Sequence, residues 1–343
     1  MWGKGISCLG LLSVSAGLWL GGCEAGPAKT QVPVGREGAV APTERIEQPG
    51  IEARLGFRPQ EKAVYKLLWE TGRGYRFEPG ADDKIVDERN RNTLEMTFTQ
   101  QVSSIDGEGV ALATITIDEL KYFSQVKNTV SMDFDSSRQA DKGNELARLV
   151  GKSYQVRMCP DGAVSLVDAN QITDAVRGTA AESLAKALFS EELVARWHSV
   201  AAFPDREHCS VMPGDSWTKL QAGPRGMIEP RCYEKTYTFK GCQVRGGGQV
   251  AVVGMEGTLA AVPCPDIPKG EQGMGIFAKM FDSSDTYKGT LVFTLDGSKV
   301  LEYREMLEAK WVATEQDRES EGQQSPMVLT MSFEQVHSVE LLR

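Results

Sequence analysis

The sequence predicts a mainly β fold of the α+β class: a large curved antiparallel sheet, or half-barrel, with two helices inserted midway. Three observations predict it. Apolar and polar residues alternate in long runs on both sides of the chain's middle, the period of a half-buried strand. Asp-Gly and Gly-rich turn signals separate those runs. Only residues 171–202 change to helical spacing, with apolar residues three and four apart.

Residues 1–22 read as a secretory signal peptide. Lys4 gives the positive start, and a mostly apolar run from Ile6 to Leu20 follows. As a helix that run reaches only ~22 Å, short of a ~30 Å hydrocarbon core, so a permanent span is not expected. Leu20-Gly21-Gly22-Cys23 resembles the lipobox of bacterial lipoproteins. The resemblance implies that the Cys23 thiol takes a diacylglyceryl group and that cleavage leaves Cys23 as the N-terminus. The chain would then hang from a bacterial membrane by its acyl chains, on the periplasmic side or at the outer membrane of a Gram-negative-type envelope. Each buried methylene contributes ~0.8 kcal/mol, and two or more chains hold a protein stably. The alternative is an ordinary secretory signal in which Cys23 is incidental. From Cys23 to Arg58, Pro, Gly, Ala and charged residues dominate without periodicity. This reads as a disordered tether with a span of roughly 30 Å.

The β-rich body is expected over 59–343, as one domain or as two β-halves, 59–170 and 203–343. Its first strand is AVYKLLWE (63–70). TLEMTFTQQV (93–102) alternates with Leu94, Met96, Phe98 and Val102 on one face, and the IDGEG turn (105–109) leads into VALATITIDEL (110–120). VSMDF (130–134) follows, then a hairpin of SYQVRM (153–158) and AVSLVD (163–168) about CPDG. In 171–202, Ile172, Val176, Ala180, Leu184 and Leu188 recur every four residues along one helix. Ser190 caps a second, in which Leu193, Trp197 and Val200 share a face. Strands resume at 232–241 and 250–262 about RGGGQ, then at 286–314 as a long hairpin about Asp296-Gly297. In its second limb Leu301, Tyr303, Leu307, Ala309, Trp311 and Ala313 share one face, interrupted by Glu305. A polar loop, 315–326, precedes the closing strand MVLTMSFEQVHSVELL.

Composition narrows the function. Hydrophobic residues at 41% and charged residues at 25% exclude wholesale disorder. A formal net charge of −9 and the lack of any basic cluster exclude a nucleic-acid partner. Of seven cysteines, Cys8 falls in the signal and Cys23 in the lipobox. The remaining five, in an oxidising compartment, predict two disulfides and one thiol. Cys232 and Cys264 bracket the hairpin about RGGGQ, which favours their pairing. With no CxxC and only three histidines, no metal and no cofactor is expected.

No catalytic residue is assigned. DREHCS (205–210) and PGDSW (213–217) read as polar loops and turns, and GxSxG is missing. DDKIVDERNRN (82–92) and DSSD (282–285) are acidic without EF-hand order.

Anchor, β-meander and helical insertion together resemble the unclosed β-barrel of LolA, LolB and LppX-type lipoproteins. That resemblance implies a curved sheet and helices around an apolar cavity for lipid or acyl chains. The lining residues expected here are Leu184, Leu188, Leu193 and Trp197 on the helices with Phe293, Tyr303 and Trp311 on the strands. Two readings follow: a non-enzymatic lipoprotein binding a hydrophobic ligand, or an envelope scaffold whose interior is filled. An envelope hydrolase stands third, without a nameable nucleophile, base and orienting group.

Overall fold

A computed structural model of the chain describes residues 50–79, 84–224, 227–228, 230–262, 264, 280–315 and 327–342. The signal peptide, Cys23, most of the tether and residues 316–326 lie outside the described residues.

The fold is mainly β, as the alternation predicted. Twelve strands form one antiparallel sheet that does not close. The N-terminal half supplies β2 (Lys62–Glu78), β3 (Val86–Ile105), β4 (Ala111–Val126), β5 (Thr129–Asp135), β6 (Ser153–Met158) and β7 (Val164–Asp168). The C-terminal half supplies β9 (Ser216–Ala222), β10 (Cys232–Arg245), β11 (Gly248–Leu259), β12 (Asp282–Thr294), β13 (Val300–Glu315) and β14 (Met327–Leu341). Their order is β7-β6-β4-β3-β2-β14-β13-β12-β11-β10-β9, with β5 hairpinned onto β4. The first and last long strands therefore meet in the middle, where Trp69 of β2 faces His337 of β14. That pairing makes the two halves one sheet. The edges are β7 and β9, so the chain between them must travel from one edge to the other.

The connecting segment carries α1 (Asn170–Ala175), α2 (Glu182–Leu188) and α3 (Glu191–His198). Two helices were expected and three form. Gly178, at φ 72°, breaks the first after Val176. The break shifts the buried face by one residue. Ile172 and Val176 are buried as expected, but Ala181 and Ala185 then replace Ala180 and Leu184. Ser190 caps α3 as expected, its side chain accepting from the Leu193 N–H at 3.4 Å.

One continuous apolar core joins these helices to the inner sheet face. Tyr65, Leu67, Leu94, Met96, Phe98, Ile115, Ile117 and Leu120 come from the first half; Phe239, Val253, Leu291 and Phe293 from the second. Each such side chain contributes ~1.5–3 kcal/mol by leaving water. Bulges keep the pattern inward where strict alternation would lose it. Asp118 is an extra residue between the pairs Thr97–Glu119 and Phe98–Ile117, so Ile117 and Leu120 both face the core. A second bulge at Leu301 corrects the sequence reading. Val300 enters the main core instead, and Leu301 packs with Val250, Val252 and Val292 in a separate cluster.

The tether boundary also moves. β1 (Ile51–Glu52) pairs with β8 (Ser210–Val211), and Ala53 and Leu55 are buried in the core. Residues 51–57, IEARLGF, carry an apolar residue at every second position, so this part of the expected tether belongs to the folded body.

Cys232 and Cys264 form the expected disulfide, with Cα atoms 5.2 Å apart. The expected second bridge does not form among the described residues; Cys159, Cys209 and Cys242 remain thiols.

Candidate site between helix α3 and the inner sheet face

Strand alternation places Tyr233, Lys235, Tyr237 and Phe239 of β10 on the inner face. Glu305 of β13 and Gln335 and His337 of β14 take inner positions by the same rule. Lys235, Glu305 and His337 can each carry charge near neutral pH, and burying them unpaired would be costly. The structure pairs them. Lys235 Nζ donates to Glu305 Oε2 at 2.8 Å, and the lysine is fully buried. The Tyr287 hydroxyl donates to the same oxygen at 3.2 Å, and the Tyr303 hydroxyl donates to Glu305 Oε1 at 2.6 Å. The ammonium also lies over the Tyr287 ring, 4.2 Å from its centroid.

Two glycines make room for this pair. Gly257 stands opposite Lys235 and Gly289 opposite Glu305 in the cross-strand register. A Cβ on Gly289 would come within 2.8 Å of the Arg304 carbonyl oxygen and 3.2 Å of Glu305 Cγ. One on Gly257 would meet Tyr287 Cβ at 2.9 Å. Side chains at either position would force the pair or its tyrosines aside.

Burial pushes the Glu305 carboxyl up, but Lys235 and Tyr303 outweigh it and hold the group below the ordinary carboxylate range. Burial pushes Lys235 down, against the attraction of Glu305. His337 is held below its usual value, first by burial and then by Lys235. Its Nε2 lies 2.9 Å from the Trp197 carbonyl oxygen, which can only accept. Nε2 therefore carries the proton, and neutral His337 keeps a lone pair on Nδ1. His198, one residue after Trp197, is pushed down to about 3, by burial first and His337 second; its Nε2 bonds the Tyr154 hydroxyl at 2.7 Å.

Above this floor lies a cleft of about 200 Å³. α3 and the residues after it contribute Ala195, Arg196, Ser199 and Ala201, and the β9 side contributes Gln221, Ala222 and Pro224. The sheet contributes Trp69, Tyr287, Tyr303, Glu305, Gln335 and His337. The rings are mutually tilted: His337 sits 5.2 Å from Trp69 and 5.3 Å from Tyr303 between centroids. Gln335 is 9% exposed, and its Oε1 makes no hydrogen bond among the described residues. A buried carbonyl oxygen without a partner needs an explanation.

A second buried pair lies further along the same face. Arg231 bonds Asp285, which also accepts from the Tyr233 hydroxyl at 2.7 Å, and the guanidinium lies 4.8 Å from the Trp311 centroid. DSSD therefore supplies an ion-pair partner, Asp285, and no metal-binding cluster occurs among the described residues.

Of the expected lining residues, Tyr303 lines the cleft. Trp197 is fully buried beside it and reaches it through its carbonyl. Leu188, Phe293 and Trp311 are core residues, Phe293 packing edge-on against Phe203 at 5.1 Å. Leu184 and Leu193 are half-buried at the edge of that core. The alternation missed Lys235, Gln335 and His337, although each is a polar residue standing on the apolar parity of its strand. Glu305 carries the same signal, a charged residue interrupting the apolar face of its strand. Elsewhere, His208 lies in a short 3-10 turn, Arg206–His208. Asp215 satisfies its own turn, Oδ2 accepting from the Met212 N–H at 2.8 Å.

Comparison with known proteins places the chain in no family: no family model and no curated protein matches it. Among solved structures it is similar to one titled "Lipid-protein interactions in lipovitellin". The identity is 12% and the TM-score 0.39, over 84% of this chain and 25% of that one. The chain spans about a quarter of that structure's length, and a likeness of this degree carries no argument about ligand or activity.

Proposed function

We propose that this chain is an exported lipoprotein, anchored to a bacterial membrane through acyl chains on Cys23, that binds a ligand with an apolar body and performs no chemistry on it. The cleft beneath α3 carries the reading: it joins aromatic walls to the Gln335 amide oxygen, which has no partner among the described residues. Glu305 supports binding without chemistry, because its oxygens are engaged by Lys235, Tyr287 and Tyr303 and are not poised as a base. At about 200 Å³ the cleft is smaller than the ~300–1,000 Å³ of drug-sized ligand sites, so a two-chain lipid does not fit within it. A hydrophobic ligand there is a ring or a short chain.

A scaffold with a filled interior is the second reading. Trp197, Phe189, Tyr154 and Phe98 favour it, because they close the seam between the helices and the N-terminal half of the sheet.

Native mass spectrometry of the intact chain extracted from membranes tests both. The binding reading expects acyl mass on Cys23 and a small non-covalent adduct, and Cys23→Ala should release the chain from the membrane fraction. A mature chain without acyl mass removes the anchor. Repeated recovery without an adduct leaves the scaffold.

A further inference from the structure

We infer that the cleft takes a neutral molecule built on a single six-membered ring that both donates and accepts hydrogen bonds, such as a pyranose-sized sugar or a ring amide. The inference rests on the binding reading above and names its ligand class.

Size sets the first limit. An apolar cavity of ~150 Å³ accommodates benzene, so about 200 Å³ holds one ring with a few substituents. The walls set the second. Trp69, Tyr303 and His337 present tilted ring faces and edges, against which a ring's C–H or π surface can lie.

Hydrogen bonding sets the third. The Gln335 amide offers an acceptor without a protein partner and, on its nitrogen, donors. His337 offers the Nδ1 lone pair, because Nε2 is committed to the Trp197 carbonyl. Ser199 Oγ accepts from the Val164 N–H at 3.2 Å, which leaves its own proton to give. A hydroxyl or amide complements all three. An acyl chain would cover the Gln335 amide without replacing a hydrogen bond, which is unfavourable.

Charge sets the last. Each charged group lining the cleft already has an opposite partner: Glu305 has Lys235, and Arg196 has Glu192 at 3.1 Å. Neither a cation nor an anion gains a free counter-charge there.

The test is calorimetric titration of the intact chain in nanodiscs, with empty nanodiscs as the blank. N-acetylglucosamine, benzamide and decanoate are the probes. The inference expects heat from N-acetylglucosamine or benzamide, and whichever binds identifies sugar or ring amide as the source. Gln335→Met, of similar shape but without the amide, should weaken that binding at least tenfold, with an unchanged or higher urea midpoint. Trp69→Leu, which removes a wall and spares the amide, should weaken it as well and decides the matter if Gln335→Met fails to fold. Decanoate binding that Gln335→Met leaves unchanged overturns the polar-ring class and keeps the binding reading. If no probe binds, the inference is overturned; the binding reading falls with it only when native mass spectrometry also shows no adduct.

Discussion

Acidification should destabilise the fold through two histidines that are buried in the neutral form. An unfolded histidine titrates near 6.5, whereas burial holds His198 down to about 3. His337 is lowered too, chiefly by burial, with Glu305 and the Trp197 carbonyl opposing. Between the folded and unfolded values the unfolded chain binds more protons, so stability falls as pH falls through about 6.5. The slope is about 1.4 kcal/mol per pH unit for each such group. At pH 5 His198 alone has then removed about 2 kcal/mol, and His337 adds in the same direction. That is a large share of the ~5–15 kcal/mol typical of a folded domain. Glu305 does not enter this window, because a lowered carboxylate loses its contribution only as pH falls below its unfolded value of 4.5. Urea unfolding midpoints between pH 7.5 and 5 measure the slope. His198→Gln keeps a hydrogen-bonding group near the Tyr154 hydroxyl and cannot titrate, so its profile should be distinctly shallower. A flat wild-type profile, or an unchanged slope in His198→Gln, would refute the reasoning.

Three further outcomes are expected. Lys235→Met leaves Glu305 buried beside tyrosines alone and should cost about 3–5 kcal/mol, whereas Lys235→Met with Glu305→Leu should recover most of it; strictly additive losses in urea unfolding would contradict a coupled pair. Trp197→Ala should cost about 3–5 kcal/mol in urea unfolding as a large-to-small core change, and Trp197→Phe less, because a ring still fills the site and the indole N–H has no partner among the described residues to lose. Replacing both Cys232 and Cys264 by Ser should cost about 3–4 kcal/mol, the chain-entropy value for a loop of this separation; an unchanged midpoint would show that the bridge does not constrain the unfolded chain.

Much of the fold was legible because alternation is a local property. A half-buried strand repeats its contacts every two residues, so Leu94, Met96 and Phe98 declare their face without knowledge of any partner. The Asp296-Gly297 and RGGGQ turns were legible for a similar reason: Gly297, Gly246 and Gly247 take positive φ, which other residues adopt at a cost. Bulges were not legible. Asp118 and Leu301 are extra residues only relative to the strand beside them, and no periodicity within one strand reports its neighbour's register. Gly178 divided the first helix because a left-handed residue ends a helix that its apolar spacing would continue.

The candidate site divides along the same line. The sequence by itself determined the sheet's inner face, the segment that crosses it, the Cys232–Cys264 hairpin and the expectation of an acylated Cys23. It also showed Lys235, Glu305, Gln335 and His337 as polar residues on apolar positions. Only the tertiary structure decided that Lys235 meets Glu305 across 70 residues, with Gly257 and Gly289 opposite them. It alone left the Gln335 amide oxygen without a partner among the described residues beneath α3, while His337 found the Trp197 carbonyl 140 residues away. The physical reason is that burial of a polar group is a one-residue property, whereas its compensation depends on which strands and helix the closed topology brings within about 3 Å of it.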